Sequence, residues 1–126
     1  MIFDTDVLIF AQRGNMRAAH AIDTAKKRYV SVQTYMELIQ GSRDKAEMML
    51  IKEMFSAMRF TVLPFTENIG HRAVVYLEQY ALSSGLRSGD AIIAATASEH
   101  DLPLISANAK HFRAVKDIEL FTFTAR

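Results

Sequence analysis

The chain has 126 residues, 50% of them hydrophobic and 23% charged, with no cysteine and a formal net charge of +1. That length suits one domain able to bury about two-thirds of its unfolded surface, and that composition excludes disorder. The near-neutral charge excludes a general attraction to nucleic acid or membrane, and the lack of cysteine excludes a disulfide framework and any thiolate metal site.

In chain order, Met1–Phe3 reads as a first short apolar strand. Asp4 follows it and suits the N-cap of a helix starting around Thr5, with Asp6 in the first turn, where the helix dipole favours an acid. Arg28–Val32 is the second strand. Between Val32 and Met58 lie two helical segments, interrupted near Gly41-Ser42. In the first, Glu37 shares a face with Gln33, Thr34 and Gln40, opposite Val32, Tyr35, Met36 and Ile39; taken alone it reads as a solvated face. The second, Asp44–Met58, carries Met48, Ile51, Phe55 and Met58 on one side and Leu50 and Met54 on another. Methionine at helical spacing suits core, and also an adaptable contact surface.

Phe60–Leu63 is the third strand. Thr66–Ser84 carries Ile69, Ala73, Tyr76, Leu77, Tyr80 and Ala81 as an amphipathic stripe, with Pro64 before it and Gly85 as its stop. Ser88–Glu99 is Ala-rich and apolar beyond its first turn, which predicts a helix covered on most sides. Pro103–Ile105 is the fourth strand, Ser106-Ala107-Asn108 a turn leading into a short helix over Ala109–Arg113, and Ile118–Phe123 the fifth strand. Short apolar strands suit buried, mainly parallel pairing. No repeat or linker interrupts the pattern, so residues 1–126 are expected to form a single three-layer α/β/α domain around a mainly parallel five-stranded sheet. No apolar stretch approaches the ~20 residues of a membrane span and no basic leader precedes Ile2, so a soluble cytoplasmic setting is expected.

The acids carry the chemistry. Residues just past apolar strands gather along one edge of such a sheet, where ligands bind. Carboxylates brought together there repel at roughly 4 kcal/mol per pair at ~4 Å, with an effective dielectric near 20. A divalent cation relieves that repulsion and can activate water against a phosphodiester. Each acid also has a structural explanation, Asp4 as a cap, Asp6 and Asp90 as first-turn residues and Glu37 as part of a solvated face. Asp90 argues furthest for function, because a carboxylate at the rim of an apolar helix is costly unless paired, protonated or cation-bound. Lys110, His111, Arg113 and Lys116 could contact phosphates beside the acids, although a solvated helix end also explains them; Phe112 among them should pack inward.

Four blocks, taken in order, resemble the PIN domain and in particular the small VapC-type toxin ribonucleases. They are Ile2-Phe3-Asp4-Thr5-Asp6-Val7-Leu8-Ile9, Ser31-Val32-Gln33-Thr34-Tyr35-Met36-Glu37-Leu38-Ile39-Gln40-Gly41, Ser88-Gly89-Asp90-Ala91-Ile92-Ile93-Ala94-Ala95-Thr96-Ala97, and Leu104-Ile105-Ser106-Ala107-Asn108-Ala109-Lys110-His111-Phe112. The resemblance implies an endoribonuclease in which Asp4, Glu37 and Asp90 hold one or two Mg²⁺ or Mn²⁺ ions. It makes Ser106 an orienting hydroxyl, Asp6 a supporting acid, and Asn108 the occupant of a place where many members have a fourth acid. It also implies an RNA substrate, an antitoxin partner and a homodimer.

Two alternatives stand beside it. A haloacid-dehalogenase-like phosphatase would use Asp4 as nucleophile and Asp6 as general acid, but leaves Glu37 without a role and has Ala94 where a second metal acid is usual. A PIN-like domain that only binds RNA or protein is the other; retention of the three principal acids speaks against it.

Overall fold

Ile2 and Phe3 are adjacent in sequence, fully buried, and packed into two different hydrophobic clusters. Successive side chains of a strand point to opposite faces of its sheet, so a two-residue strand seeds both halves of the core. The computed structural model describes residues 1–126. The elements are β1 (Ile2–Phe3), α1 (Thr5–Gln12), α2 (Met16–Thr24), β2 (Arg28–Ser31), α3 (Val32–Gln40), α4 (Lys45–Ala57), β3 (Phe60–Leu63), α5 (Glu67–Ser84), α6 (Ser88–Glu99), β4 (Leu104–Ser106), α7 (Ala109–Phe112) and β5 (Leu120–Thr122).

The sheet has the order β3-β2-β1-β4-β5, and every pairing is parallel. The expected mainly parallel sheet is thus wholly parallel. From β1 the chain winds outward through β2 and β3, then crosses back to the other side of β1 for β4 and β5. The winding reverses between β1 and β4, and that switch point is where such sheets open a crevice at the carboxyl ends of their strands. On one face, Phe3 and Val30 pack against Val7, Leu8, Ala18, Ile22, Leu38, Ile51 and Phe55 of the first four helices. On the other, Ile2 and Leu104 pack against Ile69, Ala73 and Tyr76 of α5 and the buried alanines of α6. Helices therefore cover both faces, as three layers require.

Local chemistry sets the helix ends. Asn15, Ser31, Asp44 and Thr66 cap α2, α3, α4 and α5, each side chain accepting a backbone N–H in the first turn. Gly85 ends α5 with φ at 71°, a left-handed conformation that a residue without Cβ adopts at little cost. Arg28 ties two helix ends together: its guanidinium donates to the carbonyls of Ile22, Asp23 and Met58 at 2.8, 3.2 and 2.8 Å.

Several boundaries differ from expectation for physical reasons. β2 stops at Ser31 because that residue already caps α3. β4 starts at Leu104 because Pro103 has no N–H for the ladder, though its carbonyl accepts from Ile2 at 2.8 Å. The fifth strand is shorter than Ile118–Phe123 and covers only Leu120–Thr122. α3 departs most: Thr34, expected on a solvated face, is fully buried, whereas Met36, expected opposite it, is 59% exposed. On α4, Ile51 and Phe55 are core, Met48, Met54 and Met58 are half-buried, and Met49 and Leu50 are exposed. No helix is long and apolar enough to cross a membrane.

Candidate active site

The register of β1 on β4 places Ile2 beside Leu104 and Phe3 beside Ile105. The next residues along, Asp4 and Ser106, therefore meet at the carboxyl end of both strands. The Asp4 N–H donates to the Ile105 carbonyl at 3.0 Å, fixing the backbone. Its carboxylate is then held at both oxygens: Oδ1 accepts the Thr5 N–H at 2.8 Å as the α1 cap, and Oδ2 accepts the Ser106 hydroxyl at 2.6 Å. The same Ser106 oxygen accepts the Asn108 N–H at 2.9 Å. Asp4 is only 6% exposed. Burial, then the charge of Asp6 and more weakly that of Asp90, pushes its carboxyl up to about 7, while the Ser106 and Thr5 hydrogen bonds oppose the rise.

Asp6, in the first turn of α1, accepts the Ala107 N–H on both oxygens at 3.3 and 3.2 Å. Burial raises its carboxyl pKa, with a further push from Asp90, and the Ala107 hydrogen bond works against that. Three carboxylates from β1, α1 and α6 therefore share one field. Asp90 enters it from the N-terminal turn of α6, where Oδ2 accepts the Arg87 N–H at 3.1 Å. The same Oδ2 lies 3.1 Å from His111 Nδ1, which lies 2.8 Å from Asn108 Nδ2. Asn108 occupies the N-cap position of α7, but its side chain makes no capping bond and turns to His111 instead.

Glu37 is exposed on α3 and joins through Thr5, whose hydroxyl is 3.2 Å from Glu37 Oε1 and 3.0 Å from the Thr34 hydroxyl. Thr5 has one proton, so the two bonds are compatible when Thr34 donates to Thr5 and Thr5 donates to Glu37. That polar contact explains why Thr34 tolerates full burial: it is satisfied inside the protein rather than by water.

The sequence-selected residues Asp4, Asp6, Ser106, Asn108 and Asp90 are thus connected, directly or through one residue, and Glu37 through Thr5. No three His, Asp or Glu side chains close on a common point as a finished metal cage. The donor chemistry nonetheless fits a hard divalent cation: the acids are oxygen donors, the charges of Asp6 and Asp90 help raise the Asp4 pKa and that of Asp90 helps raise the Asp6 pKa, and the hydrogen bonds to Asp90 all fall on Oδ2. Lys110 and Arg113, expected on a rim beside the acids, line an open cleft of about 410 Å³ with Ser83, Ser84 and Ala114, a lining that includes none of the acids, and Phe112 is packed inward.

Sequence reasoning did not single out Thr5 or Thr34, and it placed His111 on the basic rim rather than against Asp90. The Thr5 signal was available, since a hydroxyl beside a capping acid at a strand end is positioned to reach a neighbouring helix. The His111 contact needs the turn of α7, which no periodicity in a four-residue helix announces.

The sequence pattern of the PIN domain family matches residues 1–118. The chain is 36% identical over 116 residues to "Ribonuclease VapC10" of Mycobacterium tuberculosis, an alignment covering 89% of this chain and 85% of that protein. It is 27% identical over 132 aligned positions to "Ribonuclease VapC1" of Rickettsia felis, covering 100% and 98%. Among solved structures, a chain of a toxin–antitoxin complex from Klebsiella pneumoniae superposes with a TM-score of 0.81 at 28% identity, over 99% of this chain and 97% of that one. These matches set aside the phosphatase alternative. The chain belongs to the PIN domain family.

Proposed function

We propose that residues 1–126 form one nuclease domain, a metal-dependent endoribonuclease that hydrolyses RNA phosphodiester bonds as the toxin of a toxin–antitoxin pair. One observation carries this reading: Asp4, Asp6 and Asp90 gather at the switch point of a parallel sheet, where burial first, then the charge of Asp6 and more weakly that of Asp90, push the Asp4 carboxyl up to about 7. The ribonuclease names of the relatives and the toxin–antitoxin complex among the similar structures support it. Asp4, Glu37 and Asp90 hold Mg²⁺ or Mn²⁺, Ser106 fixes the Asp4 carboxylate, Asp6 adds negative charge behind it, and Asn108 contributes an amide where a further charge would otherwise stand.

A divalent cation, when bound there, lowers the pKa of water and neutralises charge developing on the phosphoryl oxygens. The chain's own part is to hold the acids still and deprotonated, which a nearby positive charge promotes even for a carboxyl titrating near 7. No nucleophilic side chain is required. The antitoxin partner, a homodimer and a cytoplasmic setting belong to the same proposal. RNA cleavage by wild type, Asp4→Asn and His111→Ala, in EDTA and after Mn²⁺ is restored, tests it. Activity confined to Mn²⁺ and lost in Asp4→Asn is the expected outcome. Full activity in EDTA overturns the reading, and an inactive wild type that still binds RNA supports the non-catalytic alternative.

A further inference from the structure

The contact between His111 and Asp90 joins two elements that no backbone hydrogen bond of the site links. Asp90 Oδ2 meets the Arg87 N–H at 3.1 Å and His111 Nδ1 at 3.1 Å, and no hydrogen bond falls on Oδ1. The side chains of Asp90 and His111 are 18% and 21% exposed, so the pair is largely withdrawn from solvent. On its other side Nδ1 lies 2.8 Å from the Asn108 amide. A carboxylate oxygen only accepts, so a favourable contact needs a proton on Nδ1. That proton points at Asp90. The structure sets Asn108 Nδ2 against the ring, but two donors cannot bond each other, and because the two ends of the amide have the same shape a protonated Nδ1 requires the amide oxygen there. In the neutral ring this leaves Nε2 as a bare acceptor on the Gly85 side, where a Cβ would lie 4.0 Å from it.

From this geometry we infer that His111 is a positioning residue for Asp90, holding Oδ2 through Nδ1–H so that Oδ1 stays free for a cation. The inference rests on the reading of Asp90 as a cation ligand given above. It assigns His111 neither an RNA contact nor a proton-transfer step; both would run through Nε2. Hydrogen bonds from outside the ligand set orient ligating carboxylates, and losing one typically costs about 10–100-fold in metal affinity or activity.

The two ring nitrogens can be separated by substitution. Asparagine places a donor near the Nδ1 position, glutamine near the Nε2 position, and alanine at neither. Mn²⁺ affinity is measured by calorimetry without RNA on wild type, His111→Ala, His111→Asn, His111→Gln and Asp90→Asn, with the metal-free melting temperature checking folding. The expected result is about a 10–100-fold loss in His111→Ala and His111→Gln, near-wild-type affinity in His111→Asn, and the largest loss in Asp90→Asn. Unchanged affinity in His111→Ala beside a loss in Asp90→Asn overturns the inference and leaves the cation reading standing. Rescue by glutamine and not by asparagine also overturns it, in favour of a role through Nε2. A wild type that binds no Mn²⁺ removes the cation reading and this inference together. Independently of any variant, ¹⁵N spectra of the metal-free protein should show the His111 ring protonated at Nδ1; a ring with a bare Nδ1 contradicts the inference.

Discussion

Ser106 donates its hydroxyl to Asp4 Oδ2 across 2.6 Å, joining residues 102 positions apart at the ends of neighbouring parallel strands. The serine also accepts the Asn108 N–H, so one buried oxygen organises both the acid and the turn that follows β4. Ser106→Ala leaves that N–H without its partner and removes a bond to a charged group. We expect a loss of about 1–3 kcal/mol in chemical denaturation. The Asp4 carboxyl should also titrate higher still, since the Ser106 bond is one of the forces holding it down.

The pH dependence of the metal-free protein follows from Asp4. Its folded carboxyl titrates near 7 against an ordinary 3.8, raised by burial and then by Asp6. Between about pH 4 and pH 7 the folded chain therefore holds a proton that the unfolded chain has released. Stability from this group is present below about pH 4 and is lost as pH rises through 7, with a slope of up to about 1.4 kcal/mol per pH unit. Urea unfolding in EDTA across this range should show that decline, and Asp4→Asn should flatten it. A wild type whose stability rises over the same interval, with Asp4→Asn following it, contradicts the assignment.

Adding Mn²⁺ should reverse the penalty. A cation that binds only the folded form stabilises it by about 2.7 kcal/mol at a hundred times its Kd, or roughly 10 °C in Tm for a domain of this size. Asp90→Asn should lose most of that response while folding at least as well without metal. Asp90→Asn melting like wild type at every Mn²⁺ concentration contradicts a ligand role for Asp90.

Much of this arrangement is legible in the sequence because local chemistry and tertiary role coincide. Ser88–Glu99 reads as a buried helix from its run of Ala and Ile, and five of its residues in a row, Ile93–Ala97, are indeed core. Asp4 reads as a cap and is one; the same carboxylate lies at the site because the cap falls at the sheet's switch point. What stays hidden depends on contacts across the fold. α2 gives no strong signal, since only Ala18 and Ile22 of its nine residues are buried. Thr34 reads as solvated because a polar residue is normally exposed, and only the Thr5 hydroxyl makes its burial tolerable. Asn108 reads as a cap; the side chain of His111 draws it elsewhere.

Arg28 offers a control far from the acids. Its guanidinium joins the ends of α2 and α4 through three carbonyls. Arg28→Ala should cost about 2–3 kcal/mol in urea denaturation, while the Mn²⁺-induced rise in Tm stays as in wild type. A lost metal response in this variant would mean that the response reports general stability rather than the site.

The most direct test of the central claim is the chemistry of the RNA ends left by cleavage in Mn²⁺. A cation, which Asp4, Glu37 and Asp90 would hold, would supply activated water and so make no use of the ribose 2′-hydroxyl, whereas a histidine-driven ribonuclease attacks with that hydroxyl. The expected result is cleavage that stops in EDTA and leaves no 2′,3′-cyclic phosphate. Cyclic phosphate ends, persisting in EDTA and vanishing in His111→Ala, would contradict it.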